Sequence, residues 1–153
     1  MGKLNLNLIL IFLTVFMSSL LYSQNNVNLI IFINDEIITS PLELNFSNQL
    51  SKKEYKVIYS PGKEIDYVNN DIFKENLILQ FNAYGDKEAP AKRYSYSIPL
   101  EAGLFKDTSF LIIKIYNLDK KEYRKKYCKS KEPYVVDFHK SGLYIDTTLT
   151  KCN

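Results

Sequence analysis

The stretch Asn76-Leu77-Ile78-Leu79-Gln80-Phe81-Asn82-Ala83 decides the fold. Leu77, Leu79, Phe81 and Ala83 fall on one side of an extended chain, and Asn76, Gln80 and Asn82 on the other, because side chains alternate across a strand. One apolar side and one polar side mark a strand half-buried in a sheet. Tyr94, Tyr96, Ile98 and Leu100 repeat the pattern, with Ser95 and Ser97 between them.

Working outward, the same period of two runs along most of the chain. Val27, Leu29, Ile31 and Ile33 alternate with Asn28 and Asn34, and Ile30 and Phe32 fill the second face. Leu42, Leu44 and Phe46 alternate with Glu43 and Asn45; Tyr55, Val57 and Tyr59 alternate with Glu54 and Lys56. Phe110-Leu111-Ile112-Ile113-Lys114-Ile115-Tyr116 is almost continuously apolar and reads as a central strand buried on both faces. Tyr134, Val136 and Phe138 alternate with Asp137 and His139, and Leu143, Ile145, Thr147 and Leu149 close the series. Ser60-Pro61-Gly62, Tyr84-Gly85-Asp86, Ala89-Pro90 and Lys140-Ser141-Gly142 supply turn chemistry between the runs, the last suiting a bulged hairpin. Such a series predicts an all-β domain, a β-sandwich of about 7–9 strands in an immunoglobulin-like or transthyretin-like layout. Asn117–Lys131 reads two ways. Tyr123 and Tyr127, four apart, would share one face of a helix, or the Lys-rich segment would be a charged edge strand.

The chain has 153 residues, 46% hydrophobic and 24% charged, which suits one globular domain and excludes wholesale disorder and a polytopic membrane protein. Its formal net charge of +3 is too small for a dedicated nucleic-acid binder. One His and two Cys leave no site that needs several of either. The scattered glycines form no phosphate-cradling loop, so no cofactor is expected.

The N-terminus has one Lys at position 3, an apolar centre from Leu8 to Met17 and a Ser18-Ser19-Leu20-Leu21-Tyr22-Ser23 exit. That is the layout of a secretory signal peptide, here residues 1–23, leaving residues 24–153 as the mature domain with no membrane span. Asn5 and Asn7 interrupt the apolar run that an uncleaved anchor would need. The Tyr22-Ser23-Gln24 junction resembles those of Bacteroidota-type bacteria, and the general layout resembles the small exported sandwich proteins of such bacteria. The resemblance implies a location in the periplasm, at the cell surface or outside the cell. Cys128 and Cys152, an even count in an exported chain, predict a disulfide. Closing that loop would stabilise the fold by roughly 3–4 kcal/mol in the chain-entropy model.

Candidate sites are few. The run Lys120–Lys131 carries seven Lys and Arg against one Glu. It would attract an anionic surface, or simply stay solvated. Within it, Tyr123, Tyr127, Lys125 and Lys126 are binding candidates. Asp137 and His139 share a strand face and, with Asp146, are candidates for polar binding; one His is too few for a catalytic metal set, so no metal is expected. Tyr is abundant, with 12 residues and no Trp. Its flat ring and polar tip suit interfaces, but Tyr55/Tyr59 and Tyr94/Tyr96 lie on apolar faces and are expected mostly in the core. Acidic residues at strand ends and loops (Asp35, Glu36, Asp66, Asp71, Asp86) lack calcium-loop spacing. Asp146-Thr147-Thr148 resembles a short glycan-acceptor pattern of such exported proteins, with Thr147 as acceptor. No nucleophile elbow is present and nothing singles out a Ser partner for His139. The expectation is a small exported binding module without a catalytic set, its partner an envelope protein or a glycan. The alternatives are a carboxylate-dependent glycan hydrolase and a purely structural envelope component.

Overall fold

The computed structural model describes residues 26–67, 69–85, 92–106, 108–127, 131–141 and 143–145. The expectations placed on residues 1–23, Asp86, Cys128, Asp146, Thr147 and Cys152 lie outside the described residues.

Among the described residues ten strands build two sheets: β1 (Asn26–Ile33), β2 (Glu36–Ile37), β3 (Leu42–Ser47), β4 (Glu54–Tyr59), β5 (Lys63–Asp66), β6 (Leu77–Tyr84), β7 (Arg93–Leu100), β8 (Phe110–Asn117), β9 (Tyr134–Lys140) and β10 (Leu143–Ile145). Seven apolar runs lie on strands, as does the start of the eighth, Leu143–Ile145, and the sandwich is the predicted class. One sheet has the order β10-β9-β8-β1-β2, with β5 sharing the β1 edge, and the other the order β4-β3-β6-β7. Neighbours are antiparallel except β1 and β8, which run parallel from Asn28↔Phe110 to Ile33↔Ile115. In the four-stranded sheet β3 lies between β4 and β6 rather than beside β1. That departs from the immunoglobulin order.

The core lies between the sheets. Val27, Leu29, Ile31, Leu111, Ile113 and Ile115 face inward from one sheet, and Leu44, Phe46, Tyr59, Leu79, Phe81, Tyr96 and Ile98 from the other. Fully burying each such side chain contributes roughly 1.5–3 kcal/mol before entropy is counted. The crossing from β4 to β5 uses the predicted turn. Lys63 N–H donates to Ser60 C=O at 2.9 Å. Gly62 sits at φ +73°, the left-handed region that a turn of this kind reserves for glycine.

Two local features depart from the sequence reading. Strand β8 is not equally covered on both faces. Its outward Tyr116 is buried, Ile112 and Lys114 are half-buried, and Phe110 is 39% exposed. Among the described residues only the Tyr116 end is roofed, by helix α1 (Lys121–Tyr127), so this part of the segment is helix. Asn34 and Asp35, at φ 52° and 64°, make a tight hairpin between β1 and β2. Asn and Asp tolerate this left-handed pair well, the geometry that matches strand twist.

Candidate functional site

The end of the sandwich where β6 stops, β7 starts and β8 stops is lined by tyrosines. Tyr94 and Tyr96, two apart on β7, both turn inward, as their alternation with Ser95 and Ser97 dictates. Their rings stack with centroids 6.3 Å apart, and Tyr134, at the start of β9, meets Tyr96 edge-on at 5.1 Å. Each hydroxyl has a partner. Tyr96 donates to Asn117 Oδ1 at 3.0 Å, Tyr94 to Asp119 Oδ2 at 3.1 Å, and Tyr134 to Ser97 C=O at 2.7 Å. Asp119 also accepts from Lys92.

Asn117 is the hinge of this network. It is the last residue of β8 and 1% exposed. Its backbone N–H donates to Asn34 Oδ1 at 2.8 Å, tying the β1–β2 hairpin to the end of β8. Its own Nδ2 is buried and has no hydrogen-bond partner among the described residues. Such an orphan costs about 1–3 kcal/mol and is uncommon in a native interior.

Around this network lies a cleft of about 460 Å³. Its walls include Tyr94, Tyr96, Asn117, Asp119, Arg124 and Tyr134, and its rim Lys92, Arg93, Lys131 and Glu132. The chain has only two arginines, Arg93 and Arg124, and both line this cleft. Arg124 is pre-aimed, because its Nε–H donates to Leu118 C=O at 2.7 Å. The remaining guanidinium donors suit bidentate pairing with a carboxylate or phosphate.

Electrostatics keep these groups in defined states. Burial pushes the Tyr96 hydroxyl well above its ordinary value, with the bond to Asn117 opposing only in part. Tyr96 is therefore a neutral donor at neutral pH. Burial alone would raise Asp119, but hydrogen bonds from Lys92 and Tyr94 outweigh it and hold the carboxyl below its ordinary value. Asp119 is thus held ionised, whereas a general acid needs a raised value.

The candidates read from the sequence are dispersed. Tyr123 and Tyr127 do share a helix face, but that face is buried in a second small core with Tyr116, Leu118 and Val135, so their rings offer no docking surface. Burial and the nearby Asp35 carboxylate, which accepts from the Tyr123 hydroxyl at 3.2 Å, push that hydroxyl up to about 12. Lys126 caps this cluster, 5.2 Å from the Tyr116 centroid and 4.9 Å from that of Tyr127. Lys125 is exposed on the outer side of the helix. Asp137 and His139 share the outer face of β9, opposite Lys114 and Ile112 of β8. They are half-buried and lie apart from the cleft. Among the described residues no three His, Cys, Asp or Glu gather as a metal site, and no helix is long and apolar enough to cross a membrane.

The sequence reading missed the cleft because its parts come from four places in the chain: 92–96, 117–119, Arg124 and 131–134. The available signal was the scarcity of arginine against 18 lysines, which marks the two as worth following. No protein-family model, no curated protein and no solved structure matches this chain.

Proposed function

We propose that the protein is an exported binding module of the cell envelope or its surroundings, and that the tyrosine-lined cleft is its ligand site. The observation that carries this reading is the convergence of both arginines on a cleft walled by Tyr94, Tyr96 and Tyr134. Rigid aromatic walls give contact area at low entropic cost, and arginine gives directional hydrogen bonds. Asp119, engaged by Lys92 and Tyr94 and held below its ordinary value, is not placed as a general acid. The ligand class is anionic. Export by way of residues 1–23, a Cys128–Cys152 bridge and a glycan on Thr147 belong to the same reading, and intact mass of the native protein, with and without reduction, tests all three.

The test of binding is thermal unfolding of the purified chain against neutral and acidic glycans, Ca²⁺, Zn²⁺, acidic peptides and a detergent extract of the cell envelope. A ligand at about 100 times its dissociation constant stabilises the fold by roughly 2.7 kcal/mol. The expected result is a shift with an anionic component that disappears in Arg124→Gln. No shift with any component, or a shift untouched by Arg124→Gln, overturns the assignment.

A further inference from the structure

Among the described residues strand β7 is an edge of the four-stranded sheet, and its side away from β6 opens into the cleft. In an antiparallel ladder alternate residues turn both N–H and C=O to the same side. Ser97 turns both away from β6. Its N–H donates to the Tyr134 hydroxyl at 2.7 Å, and its C=O accepts from that hydroxyl at 2.7 Å. Two further observations fix the parity. Pro99, in step with Ser97, has no N–H, and proline is admitted to strands where no ladder bond is lost. Gly85 N–H donates to Lys92 C=O at 2.9 Å, so the bonded pair is the one out of step with Ser97.

Arg93 and Ser95 are in step with Ser97. Their N–H and C=O groups therefore face outward as well, at the mouth of the cleft both residues line. Tyr134 closes the row at Ser97, leaving Arg93 and Ser95 as a short stretch of edge that no other described strand covers. Such a stretch is a template for another strand. The surroundings specify its charge. Lys92 and Asp119 pair with each other, which leaves Arg93, Arg124 and Lys131 against Glu132 along the lining.

Resting on the binding-module reading, we propose that an extended acidic segment of a partner protein adds to β7 as a further strand along Arg93–Ser95. Its carboxylates meet Arg124 and the cationic rim, and its alternate side chains lie against Tyr94 and Tyr134. Main-chain hydrogen bonds supply affinity in this mode and side-chain pockets supply specificity. The alternating donors and acceptors of a strand edge match a peptide backbone, which is why a peptide is favoured over an acidic glycan.

The experiment uses the isotope-labelled full chain and a synthetic pool of ten-residue peptides. Asp or Glu occupies alternate positions, with Val, Thr or Tyr between; a matched pool carries Lys in place of the acids. The acidic pool should slow hydrogen exchange at the Arg93 and Ser95 amides, and the Lys pool should not. Ser95→Pro removes an edge N–H that no β6 bond uses, as Pro99 already does, and should weaken binding about tenfold or more, as should Arg124→Gln. Protection in the wild-type chain is read independently of how well Ser95→Pro folds. Absence of protection at Arg93 and Ser95, or acidic-pool binding that Ser95→Pro leaves unchanged, overturns strand addition. Polygalacturonate binding that depends on Arg124 but ignores Ser95→Pro also overturns it, while leaving the binding module standing. No binding by either probe overturns both.

Discussion

Phenylalanine dominates one end of this sandwich, with Tyr55 beside it, and tyrosine dominates the other, with Phe81 against Tyr96. Where β6 begins and β7 ends, Phe73 packs against Phe46 at 5.2 Å and Phe105 at 4.9 Å, all three fully buried. Where β6 ends and β7 begins, Tyr94, Tyr96 and Tyr134 occupy the corresponding layer. A phenyl ring is satisfied by contact alone, so its end can close dry. A phenol must also find a partner for its hydroxyl. Here the partners are Asp119, Asn117 and the β7 backbone, and meeting them leaves the cleft open. The same alternation of apolar positions thus builds a wall at one end and a site at the other.

The comparison breaks most visibly at the wall. Phe46→Ala should destabilise the fold by about 3–5 kcal/mol, through lost contact and a cavity its packed neighbours cannot fill. Tyr94→Ala, at a half-buried position on the cleft, should cost roughly 1 kcal/mol while abolishing ligand-induced stabilisation. Urea midpoints with unchanged slopes would check both. Equal losses at the two positions would show that the tyrosine end is core and not site.

Next come two tyrosines that cross between the sheets. Tyr59 reaches from β4 to β1, where its hydroxyl accepts from Ile31 N–H at 2.8 Å in the fully buried core. It fills the gap on the β1 edge between β5, which pairs as far as Leu29, and β2, which pairs from Phe32. Tyr59→Phe leaves that N–H orphaned and should cost about 1–3 kcal/mol. Tyr134 does the same for Ser97 in the opposite direction, at an exposed edge. Tyr134→Phe exposes groups that water can serve, so its loss should be about 0.5–1.5 kcal/mol. Denaturation of the two variants side by side gives the order, and amide exchange should rise at Ile31 in the first and at Ser97 in the second.

The wall was far more legible in the sequence than the site. Alternation located all eight principal strands because burial on one face leaves a period of two. It missed β2, only two residues long, and β5, Lys63-Glu64-Ile65-Asp66, whose one inward residue, Ile65, cannot show a period. It placed Tyr59 and Tyr96 in the core, where both lie. It also put Asp137 and His139 on one face, although that face is the outer surface of the sheet, away from the cleft. The cleft itself carries no local pattern. Arg93, Asn117, Arg124 and Tyr134 meet only through the pairing of β8 with β9, the position of α1 and the approach of β7 across the sandwich.

The smallest expected effect sharpens the contrast through pH. Asp119 titrates below its ordinary value of about 3.9 in the folded chain. A folded value below the unfolded one means the contribution is complete above about pH 4 and is lost as pH falls through the folded value. Its side chain is 36% exposed and its Lys92 partner 50%, so solvent screens the pair and its worth is at most about 1 kcal/mol. The stability gap between wild type and Asp119→Asn should therefore be small at neutral pH and close in acid. The gap between wild type and Phe46→Ala should stay constant over the same range, because the wall residues carry no proton. Urea midpoints at pH 7 and at pH 3 measure both gaps. A gap for Asp119→Asn that persists unchanged in acid would mean its carboxylate is not what holds the tyrosine end together, and would shift that role to Asn117 and its bonds to Tyr96 and Asn34.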